Sequence, residues 1–229
     1  MGLSDLNGEI LAQRRKALEI SLGPEPVLAW VLETAKKLLL ETDRRSKDVL
    51  GIGVGVPGPV QHSTGMPIRP PIMPGWDGFD IPKFIARDFS QPVLVDNDVN
   101  VLALGEKAAV WPSVNDLLFV KVATGIGAGV IAGGVLQRGA QGAAGDIGHV
   151  QVPHGEGEMD LEAMASGPAI GNKLSSESAP LATQQVIDRI RIGDPDAIAA
   201  ARSAGRYIGE IVSICVSVLN PTTIVVGGA

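Results

Sequence analysis

The chain contains one cysteine, Cys215, in 229 residues. A disulfide within the chain is therefore impossible, and a reducing compartment suits it. Aromatic residues make up only 3%. A core must then be built from Val, Ile, Leu and Ala, a set that suits buried parallel strands. No apolar run is long enough to span a membrane and no signal peptide is recognisable, so a cytoplasmic protein is expected. Long basic runs are also lacking, and the net charge is −6, which argues against this chain holding DNA by itself. The short cluster Arg14-Arg15-Lys16 reads as a solvated strand edge or turn. Cys215 lies in an apolar helical pattern, Ile211-Val212-Ser213-Ile214-Cys215-Val216. It reads as a small buried apolar residue rather than a nucleophile.

What is present points to a folded α/β chain. Hydrophobic residues reach 45%, and 29 glycines imply many tight backbone approaches. The length fits one large domain or two small ones. Residues 10–13 read as a strand after a turn at residues 3–9. Residues 25–42 are amphipathic, with Val27, Leu28, Val31, Leu32, Ala35, Leu38 and Leu39 at helical spacing. Residues 49–56 form a strand pattern closed by Pro57-Gly58-Pro59. The proline-rich residues 66–76 cannot be a regular helix or a central strand, and residues 81–89 read as a short helix. Trp111-Pro112-Ser113 reads as a linker, which divides the chain into an α/β lobe at 1–112 and another at 113–229. Residues 117–122, 128–132 and 134–136 read as successive antiparallel strands. Helical patterns follow at 161–166, 181–190 and 195–219, then a final strand at 222–226.

The stretch Pro92-Val93-Leu94-Val95-Asp96-Asn97-Asp98-Val99-Asn100 carries the most chemistry. Its apolar run, residues 93–95, reads as a buried strand, and a helical pattern follows at residues 101–109. In open α/β sheets ligands bind at the carboxyl ends of strands. Asp98 would sit there, either capping backbone N–H groups or acting on a bound hydroxyl. Three further segments bear on that choice. They are Ala123-Thr124-Gly125-Ile126-Gly127-Ala128-Gly129, Ala144-Gly145-Asp146-Ile147-Gly148-His149 and Leu161-Glu162-Ala163-Met164-Ala165-Ser166-Gly167.

Taken in order with Gly55-Val56-Pro57-Gly58-Pro59, these motifs resemble the ROK family over residues 3–228. That family comprises bacterial sugar kinases and sugar-responsive transcriptional repressors. The resemblance implies an α/β fold of the actin-like (ribonuclease H-like) type, two-lobed, with a sugar cleft between the lobes. It implies that Asn97, Asp98, Asp146, His149 and Glu162 contact a sugar, with Asp98 as the catalytic base of a kinase. It also implies that Thr124, Gly125 and Gly127 belong to a phosphate loop, whose glycines let N–H groups approach an anion. ATP and Mg²⁺ would be required only of a kinase. A homodimer is the family expectation.

Several departures favour the regulator branch. Ala123 stands where the family loop usually has Gly. Asp146 replaces a Glu and shortens its reach by one methylene. Ile72 stands where the kinases carry an Asn, and it cannot hydrogen-bond a hydroxyl. The family's zinc needs thiolate and imidazole ligands, yet no cysteine lies between His149 and Glu162. That segment reads Val152-Pro153-His154-Gly155-Glu156-Gly157-Glu158-Met159-Asp160, so no metal site is complete. The family's Asp-x-Gly-Gly-Thr strand is expected ahead of Met1, and a helical segment after Gly228. As it stands, the chain is expected to have little or no kinase activity. The expected function is the effector domain of a sugar-responsive regulator, reaching DNA only through a winged helix-turn-helix before Met1. The alternative is a hexose kinase with Asp98 as base.

Overall fold

The computed structural model describes residues 1–70, 72–155, 157–175 and 180–228. Pro71 of the proline-rich run and Glu156 of the cysteine-free segment lie outside the described residues, as does the side chain of His154. Contacts divide the chain into two compact units, Met1–Asp98 and Val99–Ala229.

The first unit opens with an antiparallel hairpin, β1 (Gly2–Ser4) and β2 (Ile10–Gln13). The Asp5 carboxylate shapes its turn by accepting from the Asn7 and Glu9 amides, both at 2.9 Å. The helix α1 (Pro24–Glu41) follows, with Pro at its first turn, where a missing N–H costs nothing. Its periodic residues Val27, Leu28, Leu32, Leu38 and Leu39 are buried, as the spacing predicts. Next come β3 (Ile52–Val56), the short antiparallel pair β4 (Val60–Gln61) and β5 (Met66–Pro67), α2 (Ile81–Ile85) and β6 (Val93–Asn97). β3 and β6 pair in parallel, from Ile52 opposite Val93 to Val56 opposite Asn97.

The core of this unit gathers residues of α1 and α2 with Met73, Trp76, Val56 and Val95. Trp76 is fully enclosed, and its indole N–H donates to the Ile20 carbonyl at 3.1 Å. The run 93–95 is not wholly buried, contrary to expectation: Leu94 is 65% exposed while Val95 is buried. Successive strand residues face opposite sides, and this core packs the side that Val95 faces.

The chain enters the second unit through α3 (Asp98–Ala109). A mixed sheet follows, built from β7 (Leu117–Val122), β8 (Ile126–Ala132) and β9 (Val135–Gln137) as antiparallel neighbours, as the sequence predicts. A hairpin, β10 (Gln151–His154) and β11 (Gly157–Asp160), was not foreseen. Then come α4 (Leu161–Ala165), α5 (Gly167–Leu174), α6 (Thr183–Arg191), α7 (Pro195–Leu219) and β12 (Thr223–Gly227). β12 joins the other edge of β7 in parallel, giving the order β12-β7-β8-β9.

Leu118 and Val120 face one cluster with Leu161, Met164, Ala204 and Ile211. Leu117 and Phe119 face another with Val99, Ala103 and Ile131. Coverage of both faces explains why β7 reads as an unbroken apolar run rather than an alternating one.

Candidate functional site

In the first unit, the parallel pairing of β3 and β6 sets their carboxyl ends side by side. β6 passes into α3 with no intervening residue. Asn97 therefore ends the strand and Asp98 begins the helix. The Asn97 side-chain amide donates to the Gly58 carbonyl at 2.9 Å, tying β6 to the turn after β3. Asp96 is buried; its Oδ1 accepts from the Asn97 backbone N–H at 2.8 Å, and its Oδ2 lies 3.6 Å from His62 Nδ1. Asp98 stands in the first turn of α3, where the helix dipole favours a carboxylate. A carboxylate held at a strand end can accept a hydroxyl proton or hydrogen-bond the hydroxyl.

In the second unit, Asp146 precedes and His149 ends a 3₁₀ turn at Ile147–His149. Asp146 Oδ1 lies 3.1 Å from His149 Nδ1, and both side chains are about half exposed. With the proton on Nδ1, the ring donates to the carboxylate and presents Nε2 as an acceptor. Gly145 locks this turn onto β8: its φ is +88°, and its carbonyl accepts from the Ala128 N–H at 2.7 Å.

Glu162 lies in the first turn of α4, and its carboxylate reaches the turn between β7 and β8. There Oε2 accepts from the Ile126 N–H at 2.9 Å. The start of α5 is bound to the same turn, through the Gly167 N–H and the Ala123 carbonyl at 2.9 Å. Ser166 caps α5 by accepting from Ala169 N–H. These pieces line an open groove of about 340 Å³, bordered by Thr124, Asp160, Glu162, Ser166, Pro168 and Asn172, with Ala163 and Ala169. That volume falls in the range of small-molecule pockets.

The structure thus brings together Asn97 and Asp98 in the first unit. In the second it brings together Asp146 with His149, and Glu162 with the Thr124-Gly125 turn. Sequence reasoning did not single out His62, Asp96, Ser166 or Asn172. Ser166 carried a readable signal, since Ser-Gly-Pro is a cap followed by a first-turn proline. His62 carried none, because its neighbour Asp96 comes from a distant strand. Among the described residues, no group of three His, Cys, Asp or Glu is placed to hold a metal ion. No helix of the described residues is long and apolar enough to cross a membrane.

A family model described as ROK family matches residues 1–229. The xylose repressor of Caldicellulosiruptor bescii is 33% identical over 151 residues, covering 66% of this chain and 38% of the repressor. Among solved structures, a ROK hexokinase from Thermus thermophilus is 32% identical with a TM-score of 0.73, over 91% of this chain and 71% of that one. A ROK family transcriptional regulator, a homologue of the Escherichia coli MLC protein, is 25% identical with a TM-score of 0.83, over 99% of this chain and 61% of that one. The chain spans less than two thirds of the length of the curated repressors it matches.

Proposed function

The chain belongs to the ROK family and has its actin-like α/β fold, and on that footing we propose that it is the sugar-binding effector domain of a transcriptional regulator. The observation that carries the reading is the likeness to the xylose repressors of Bacillus spizizenii and Bacillus subtilis, 26% and 25% identical over 97% of this chain; the solved regulator matches as broadly. Ile72, 53% exposed, supports it too, because an aliphatic side chain cannot hold a sugar hydroxyl.

In this reading Asn97, Asp98, Asp146, His149 and Glu162 hold a small-molecule sugar. Amide, carboxylate and imidazole groups supply both donors and acceptors for hydroxyls, which are themselves both. Sugar binding shifts a homodimer between DNA-competent and DNA-incompetent populations. DNA contact belongs to a winged helix-turn-helix elsewhere in the whole cytoplasmic regulator.

A kinase is the second reading, favoured by the 32% identity to the hexokinase over 91% of this chain and by Asp98 at the strand end. Thr124, Gly125 and Gly127 would hold the phosphates of MgATP, which would supply the phosphoryl group. Two amides of that turn already have partners: Ala123 N–H donates to the Gly125 carbonyl and Ile126 N–H to Glu162. The residues present therefore make a partial anion cradle, which weighs toward the regulator.

The test is ADP release with MgATP and D-xylose, D-glucose or N-acetyl-D-mannosamine, beside thermal unfolding with each sugar. The regulator reading expects a sugar-dependent rise in Tm without turnover. Turnover lost in Asp98→Asn would establish the kinase. No rise in Tm and no turnover with any sugar would overturn both.

A further inference from the structure

We propose that Gly125 is a positioning residue that seats the Glu162 carboxylate beside Gly148, so that the glycine-rich turn serves the sugar side of the site. The inference rests on the reading of Glu162 as a sugar ligand.

Glu162 sits on a short helix that is anchored at its start, where Leu161 N–H donates to the Val150 carbonyl at 2.9 Å. From there its carboxylate reaches the backbone of two glycines. A Cβ on Gly125 would stand 2.8 Å from Glu162 Oε2 and 3.6 Å from its Cδ. A Cβ on Gly148 would stand 3.2 Å from the same oxygen. Glycines of two separate segments thus clear space around one carboxylate oxygen, and the Ile126 N–H fills that space with a hydrogen bond at 2.9 Å.

The two glycines differ in what else they serve. A Cβ on Gly148 would also meet the Ile126 carbonyl oxygen at 2.3 Å, so packing alone demands glycine there. Gly125 has no positive φ, and the three atoms nearest its would-be Cβ all belong to the Glu162 carboxylate, the third at 3.9 Å, so among the described residues beyond its chain neighbours any other atom lies at ordinary contact distance or farther. Neither backbone conformation nor packing against another chain segment requires glycine at 125. The carboxylate does.

Pinning Oε2 fixes the direction of Oε1 while Glu162 lines the groove. An acceptor already oriented loses less rotamer freedom when a hydroxyl arrives. A carboxylate drawn into the turn also explains how a loop of phosphate-binding appearance can serve a protein that binds sugar alone.

The experiment uses three variants, Gly125→Ala, Glu162→Asp and the double variant, with affinity for D-xylose, D-glucose and N-acetyl-D-mannosamine read by calorimetry. Gly125→Ala is expected to weaken sugar binding about tenfold or more, the effect of losing a charge-assisted hydrogen bond, and to lower Tm by no more than a few degrees. The double variant, whose carboxylate is withdrawn by one methylene, is expected to bind better than the product of the single effects allows. A merely structural glycine would give no such recovery.

A second readout needs no sugar: hydrogen exchange at the Ile126 amide. Exchange should quicken in Glu162→Ala and, likewise, in Gly125→Ala. If the wild type binds none of the three sugars, the proposed function fails while the Ile126 amide still decides the seat. An Ile126 amide unmoved by Gly125→Ala would overturn the inference, as would strictly multiplicative losses in a wild type that does bind sugar.

Discussion

A methyl group on Gly145 would sit 1.9 Å from the Ala128 carbonyl oxygen, at a φ of +88°. Neither the clash nor the conformation can relax without moving Asp146 off β8. Gly145→Ala should cost roughly 3 kcal/mol of stability, measurable by urea unfolding, and should abolish any sugar-induced rise in Tm. Cys215 offers a test by pH. It is half-buried at the edge of the second unit's core rather than fully enclosed. Burial pushes its thiol above the usual 9.0, so thiol reagents should react slowly at neutral pH. The folded state favours the neutral thiol, whereas the unfolded thiol ionises first. Its contribution to stability is full below pH 9.0 and is lost as pH rises toward the raised value. Cys215→Ala should flatten that alkaline loss in unfolding curves taken across the same range. At this scale, the placement of Asn97 and Asp98 at a strand–helix junction was legible because strand, polar pair and helix lie together in sequence. The partner of Glu162 was not: the bond spans 36 residues and its donor is a backbone amide, which no side-chain pattern advertises.

α7 illustrates how an element is specified at its ends. Asp194 Oδ1 accepts from the N–H groups of Asp196 and Ala197, and Asn220 ends the helix in the left-handed conformation. Asp194→Ala should lower stability by about 1 kcal/mol, read as a lower midpoint in denaturant with an unchanged slope. Both boundaries of this helix follow from the Asp-Pro start and the Asn-Pro stop, and α1 was equally legible from its apolar spacing. α5 is only eight residues long, so its apolar spacing was too short to read, although its Ser-Gly-Pro start is a capping signal. The β10–β11 hairpin escaped for a different reason. Its strand carries Pro153 opposite Glu158, and proline ordinarily demotes a run to loop or sheet edge. The parallel pairing of β12 with β7 had no local signal, since the partners are a hundred residues apart in order and meet only in the folded sheet.

Across the whole chain, a net charge of −6 sets an expectation about nucleic acid. This chain alone should not retard duplex DNA in a gel at about 0.15 M salt, with or without sugar. Retention that weakens steeply with salt would place a DNA-binding surface here and contradict the proposed division of labour. Family and fold were legible because several short motifs keep one order along the entire length, although their separations are too long for any pairwise contact to be read. The direct passage of β6 into α3 has a consequence for insertions and deletions. One residue inserted between Asn97 and Asp98 would swing the carboxylate about 100° around the helix axis, because a helix makes a turn every 3.6 residues. An insertion or deletion at this junction is therefore expected to remove any ligand contact that Asp98 makes, whereas a side-chain exchange there would leave the backbone geometry in place.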